Sequence, residues 1–317
     1  MKRLLFLLLL FCAGTALAQP FPSKPVRWIV PFPPGGATDI IARIVAQKMT
    51  EAWSQPVIVE NRAGAAGAIG SDAVAKSAPD GYTILMGTTS THAVGPAINP
   101  KLPYNAFTDF TPVTLVATFP NVLVAHPSTA ANLQELIGLL RANPGKYAFG
   151  SSGAGSSTHL TGELFKLATQ TDVNHIPYKG TGPLLNDLMG GQVAFAFDQI
   201  TAVMSPIQAG KMRALGVASR ERNPALPDVP AIAEVLPGFE SVAWVGILGP
   251  AKLPAETAAR IQTETRRILQ LADIAQRMKE LGATPVASPP AEFAAFMALD
   301  TMKWRDLVAT AKIKIEQ

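Results

Sequence analysis

The 317-residue sequence holds one cysteine, Cys12, and its only unbroken apolar stretch of note is Leu4 to Phe11. Each scarcity removes a class of function. One cysteine cannot build a disulfide framework or a cysteine-rich zinc centre. The apolar stretch is too short to cross a bilayer as a mature helix. Charged residues make up only 16% of the chain, and none gather into the basic runs interleaved with aromatics that bind nucleic acid. His92, His126, His159 and His175 form no H-x-x-x-H or H-E-x-x-H pair. No glycine loop ends in Gly-Lys-Ser/Thr, and Gly153 to Thr158 lacks the third glycine of a dinucleotide fingerprint. Gly150-Ser151-Ser152-Gly153-Ala154 ends in alanine where a nucleophile elbow needs glycine. No metal or other cofactor is expected.

What is present begins with an export signal. Lys2 and Arg3 precede the apolar stretch, and Ala16-Leu17-Ala18 forms an A-x-A cleavage site. Residues 1–18 are expected to be removed, leaving Gln19 first in a periplasmic protein. Phe11 stands before Cys12 where a lipoprotein signal wants a small residue. Losing Lys2 and Arg3 takes two charges from the formal +4 and leaves +2. The hydrophobic fraction of 48% suits filled cores, and the length suits two domains.

Strand-like runs alternate with helical patterns. The strand candidates are 26–30, 57–60, 83–86, 122–125, 147–149, 193–197, 214–218 and 243–248, several of them rich in Val, Ile and aromatics. Ile40, Ile41, Ile44, Val45 and Met49 share one face of a helix starting near Thr38. Asn132 to Glu135 reads as a capping box, and Asn143-Pro144-Gly145 as the stop of its helix. One long helical pattern runs from Pro254 to Gly282. Such alternation gives open, mainly parallel sheets covered by helices, an α/β fold. Ligands of these sheets bind at the carboxyl ends of the strands.

Several segments following strands are built of Gly, Ser and Thr. They are Pro31 to Asp39, Gly87 to His92 and Gly150 to His159, with Asp198 in the corresponding place after residues 193–197. Gly35-Gly36 before a helix leaves the first N–H groups open to a carboxylate or phosphate, although Thr38 or Asp39 reads equally as a plain N-cap. Each of the other segments also reads as an ordinary capped turn. Phe32 reads either as a ligand contact or as core, and Tyr178-Lys179 either as cleft or as solvated turn. A Ser/His/Asp set from Ser156, His159 and Asp198 leaves an exported hydrolase as an alternative.

A series of short motifs then narrows the choice. It comprises Phe21-Pro22-Ser23-Lys24-Pro25, Val30 to Asp39, Val59-Glu60-Asn61-Arg62-Ala63-Gly64, Pro79-Asp80-Gly81-Tyr82-Thr83, Ser156-Ser157-Thr158-His159-Leu160, Pro177-Tyr178-Lys179-Gly180 and Ala209 to Leu215. In this order and spacing the chain resembles the tripartite tricarboxylate transporter receptors, also called Bug solute-binding proteins. Two positions depart from the family pattern: Gly64-Ala65-Ala66-Gly67 replaces Gly-Ala-Gly-Gly, and Glu234 is followed by Val235 where the family often has a glycine ahead of Pro237-Gly238-Phe239. The resemblance implies a two-domain, type II-like periplasmic-binding-protein fold with a ligand cleft between lobes. Lobe 1 would be 21–122 plus 238–317, and lobe 2 would be 123–237, with crossings near 121–125 and 239–245. It also implies a non-catalytic receptor, expected to be monomeric, that captures a small organic acid and delivers it to the permease subunits of such a transporter. A di- or tricarboxylate, an aromatic acid or an amino acid would suit. A ligand-sensing adaptor for a sensor protein is the other reading. The ligand-binding residues expected are Phe32, Gly36, Ala37, Thr38, Asp39, Thr89, Ser90, Thr91, Ser151, Ser152, Ser156, Ser157, Thr158, His159, Tyr178 and Asp198.

Overall fold

The computed structural model describes residues 21–311. The export signal and its cleavage site therefore lie outside the described residues. Strands β1 (Val26–Val30), β2 (Val57–Asn61) and β3 (Thr83–Thr88) pair in parallel, with β1 in the middle. Helix α1 (Ala37–Trp53) connects β1 to β2, and α2 (Ala68–Ala75) connects β2 to β3. Side chains of β1 alternate between two cores, as a period of two requires: Val26, Trp28 and Val30 enter one and Ile29 the other. Apolar residues on both faces mean that helices cover both sides of the sheet.

After β3 the chain makes a π-helical turn at Ser90–Val94 and a short helix α3 (Gly95–Ile98), then enters the long strand β4 (Phe110–Ala125). The sequence reading found only the last four residues of β4. Pro112, Thr114 and Pro120 interrupt the apolar pattern of its first part. This strand belongs to both lobes. As far as Pro120 it pairs with β9 (Val242–Pro250), and from Asn121 it pairs with β7 (Phe195–Gln199). Its second half also pairs with β8 (Arg213–Val217).

Lobe 2 continues with α4 (Leu133–Ala142), β5 (Ala148–Ser151), α5 (Ser157–Thr169), β6 (Asn174–Pro177) and α6 (Thr181–Met189), then β7 and α7 (Ile200–Gln208). β5 lies between β6 and β7, parallel to both. β4 runs against this set, because it arrives from the other lobe. In lobe 1 the mirror case holds: β9 returns from lobe 2 and lies antiparallel between β3 and β4. The expected mainly parallel sheets are thus each crossed by an opposed strand.

The remainder packs on lobe 1. Helices α8 (Ala255–Leu269) and α9 (Ala272–Glu280) replace the single helix expected across 254–282. The break at Gln270–Leu271 lets Ile268 and Ile274 reach the same core. β10 (Thr284–Pro285) adds to β4, and α10 (Pro290–Ala311) is the last element among the described residues. The capping reading at Asn132 is met in modified form. Asn132 Oδ1 accepts the Glu135 N–H, while the Glu135 carboxylate reaches back to the Ala131 N–H, one residue earlier than a capping box requires.

Candidate ligand-binding site

The carboxyl ends of the strands of both lobes face one another across a narrow cleft. Its wall includes Phe32, Gly36, Ala37 and Thr38 from the loop after β1, and Thr89 and Ser90 from the turn after β3. Ser152, Ser157, Thr181 and Gln199 face them from lobe 2, and Phe119 and Trp244 lie between. No charged side chain lines it.

The loop after β1 is held from behind. Gly36, not Thr38 or Asp39, is the N-cap of α1, and no side chain caps that terminus. Asp39 is buried and turned away. It accepts the Gly35 N–H at 3.0 Å, the Asn61 Nδ2 at 2.8 Å and the Arg43 Nε at 3.0 Å. Asn61 also donates to the Phe32 carbonyl at 3.0 Å. Burial alone would raise the Asp39 pKa, but the hydrogen bonds from Arg43, Asn61 and Gly35 outweigh it and hold it below the ordinary carboxylate range. Asp39 is therefore ionised and neutralised by Arg43 one turn further along α1, which leaves the first N–H groups of α1 free for the cleft.

Two further helices begin at the cleft without side-chain caps: α6, preceded by Gly180, and α7, preceded by Gln199. Gly180 holds a φ of 102°, open to glycine, and a Cβ there would lie 2.7 Å from Pro33 of the opposite lobe. Gly36 and Thr181 also meet across the cleft, less tightly, since a Cβ on Gly36 would sit 3.5 Å from the Thr181 hydroxyl. Three positive helix ends thus converge on one small space.

By contrast α5 is capped. Ser156 Oγ accepts the His159 N–H at 3.2 Å and contacts Thr158 Oγ1 at 2.9 Å, while Thr158 Oγ1 also accepts the Ser152 N–H at 3.0 Å. Ser151 Oγ lies 2.7 Å from His175 Nε2. Thr91 Oγ1 accepts the Thr88 N–H at 3.0 Å and braces the turn below Ser90. Thr91, Ser151, Ser156 and Thr158 thus stand behind the wall and fix its shape.

His159 accepts the Gly155 N–H at 3.1 Å on Nδ1 and stacks on His175, with ring centroids 3.7 Å apart. Burial, reinforced by Lys166, lowers the His159 pKa to about 4, and burial with His159 and Lys166 lowers that of His175 to about 3. Tyr178 packs on its own lobe and donates to Asp187 Oδ2 at 2.9 Å. Asp198 lies within β7 rather than after it, fully buried, with Oδ1 accepting the Gln199 N–H at 2.7 Å. Burial pushes its pKa up to about 7, against the pull of the Gln199 N–H and the Thr181 hydroxyl. Its Oδ2 is buried with no hydrogen-bond partner at bonding geometry among the described residues. Ser156, His159 and Asp198 do not form a relay: the hydroxyl of Ser156 meets Gly153, Thr158 and a backbone N–H, and Asp198 binds the backbone N–H of Gln199, the residue before α7. The triad on which the hydrolase alternative rested is therefore not assembled.

Sequence reasoning passed over Phe119, Thr181, Gln199, Ala243 and Trp244. Gln199 and Thr181 were hidden because a helix start without a Ser, Thr, Asp or Asn cap carries no signal of its own. Phe119 and Trp244 read as ordinary strand apolars.

Across residues 41–313 the chain matches the family model described as "Tripartite tricarboxylate transporter family receptor". It is 38% identical to BugT of Bordetella pertussis, over 100% of this chain and 99% of that one. It superposes on R. palustris Rpa4515 with adipate at a TM-score of 0.90, with 34% identity over 92% of this chain and 99% of that one. For MatC of Rhodopseudomonas palustris with bound malate the TM-score is 0.86, with 34% identity over 91% of this chain and 100% of that one. Together with the two-lobe fold, these matches show that the chain belongs to the tripartite tricarboxylate transporter receptors, a family of periplasmic solute-binding proteins.

Proposed function

We propose that the mature protein binds a small organic acid by its carboxylate in the cleft and delivers it to the permease subunits of a tripartite tricarboxylate-type transporter. The observation that carries this reading is the meeting of α1, α6 and α7 at the cleft with no side-chain caps and no charged lining residue. A carboxylate must have its oxygens hydrogen-bonded to be buried, and free N–H groups at positive helix ends supply such bonds without a counter-ion. Gly36, Ala37, Thr38, Thr89, Ser90, Ser152 and Ser157 are the contacting residues in this reading. Asp39, Thr91, Ser151, Ser156, Thr158, His159 and Tyr178 hold them in place. Asp198 lies beneath the start of α7 and reaches the ligand through the Gln199 and Thr181 groups above it. Export with cleavage after Ala18, and action as a monomer, belong to the same reading. No helix among the described residues is long and apolar enough to cross a membrane.

The test is a thermal-shift screen of residues 19–317 against organic acids and their neutral amides. A ligand selective for the native state raises the midpoint by mass action. Acids that shift the midpoint while their amides do not are expected. Amides that act as well as acids would overturn the carboxylate assignment.

A further inference from the structure

A second cavity adjoins the cleft. Ala66, Ala68, Ile98 and Leu102 of lobe 1 line it together with Ala154 and Gly155 of lobe 2. Ser90 lines both spaces, so the two are neighbouring compartments of one inter-lobe gap. They differ tenfold in size: about 30 Å³ beside the helix ends and about 310 Å³ beyond Ser90. They also differ in chemistry. No charged side chain lines the larger one. The Tyr104 hydroxyl is spent on the Thr91 carbonyl at 2.8 Å, and the Asn99 side-chain Oδ1 accepts the Lys101 N–H at 2.9 Å, which leaves the Asn99 NH2 as a donor at its wall.

We propose that the solute is a monocarboxylate with an apolar body: its head lies at the helix ends and its hydrocarbon portion fills the second cavity. This rests on the carboxylate reading above. A space of about 30 Å³ fits two waters or one carboxyl group closely. The remainder of any ligand must therefore extend past Ser90. A second carboxylate there would be stripped of water with few free donors to replace it. A ring or alkyl chain meets the opposite case, since apolar cavities of about 150 Å³ already accept benzene. The wall is also shared. Ile98 Cδ1 lies 3.3 Å from where a Cβ on Gly155 would stand, so the two lobes meet at the wall of this cavity. An apolar body filling it contacts both lobes and favours the closed state.

Calorimetric titration of residues 19–317 decides the matter. Butanoate, hexanoate, octanoate and 3-phenylpropanoate are compared with adipate, suberate and hexanamide. Affinity is expected to rise about fourfold per added methylene until the cavity is full. Each diacid is expected to bind at least tenfold more weakly than the monoacid of equal length. Affinity independent of length, or diacids equal to monoacids, overturns the proposal while leaving the carboxylate reading intact. Amides equal to acids overturn the carboxylate reading, and no binding by any compound overturns both. Ala154 is exposed on the loop before α5, so Ala154→Trp can block the cavity with the fold undisturbed. In that variant the length dependence is expected to flatten, with octanoate losing more affinity than butanoate. An unchanged slope would place the hydrocarbon elsewhere and overturn the proposal.

Discussion

The Ser90 hydroxyl of lobe 1 accepts the backbone N–H of Ser157 from lobe 2 at 3.0 Å, at the start of α5. This bond joins a turn after one sheet to a helix start on the other, and both residues line the cleft. It exists only when the lobes are together. In Ser90→Ala the Ser157 N–H loses that partner in the closed form alone. Loss of one such bond is worth about 0.5–1.5 kcal/mol. Affinity should fall roughly two- to tenfold, with little change in the unliganded melting temperature. Titration calorimetry and small-angle scattering of the liganded protein read the two effects. An affinity equal to the parent would show that the bond does not contribute to closure.

The start of α1 offers a test of the helix ends. Gly36 has φ −79° and ψ 167°, a conformation that suits the residue before a proline, and the first helical position tolerates proline well. Ala37→Pro removes one N–H from the cleft and keeps the helix. Binding of acids should weaken by tenfold or more, while circular dichroism stays as in the parent. Unchanged binding would put the carboxylate away from α1.

Asp198 predicts a pH dependence. Its folded pKa of about 7 lies above the unfolded value of about 3.9. The protonated form is therefore favoured by folding. The contribution of this group to stability is full below about pH 4 and is lost as pH rises through 7, by roughly 2–4 kcal/mol. Asp198→Asn copies the protonated form. Its melting temperature should fall less than the parent's between pH 5 and 8. Parallel curves would mean that Asp198 is already ionised in the fold.

Histidine gives the opposite sign. Burial lowers His92 to about 3, His159 to about 4 and His175 to about 3, all below the unfolded value of about 6.5. Their contributions are complete above pH 6.5 and are lost as pH falls towards 4 and 3. His175→Gln removes one of the stacked pair and should make the loss of stability on acidification shallower. Acid titrations followed by tryptophan fluorescence compare the slopes. An equal slope would show that His175 does not contribute to acid unfolding.

Much of this architecture can be read from the chain. The period of two in 26–30, the helical face of Ile41 and Val45, and the Gly35-Gly36 turn each follow from local rules and hold in the fold. The loops after β1, β3 and β5 do meet. What escaped is non-local. Asp39 carries the same sequence signal whether it caps a helix or braces a loop, and only the approach of Asn61 and Arg43 from β2 and α1 decides between them. The first half of β4 contradicts strand propensity at Pro112 and Pro120, yet β9 pairs with it along its length. Gln199 and Thr181 enter the site because tertiary packing aims α6 and α7 there, and no residue pattern in either segment records that aim.

The sharing of β4 between the sheets has a mechanical consequence. Asn121 stands where the strand changes partners, and its amide donates to Thr161 and Ser241 at 2.9 Å each, while those two hydroxyls lie 2.6 Å apart. The second crossing, at Ser241, is thereby tied to the first. Two cross-linked strands resist sliding and leave bending and twisting as the soft motions. In the receptor reading, occupancy of the cleft acts on the angle between the two lobes. An angle can be read from the outer surface by a membrane protein that never touches the solute.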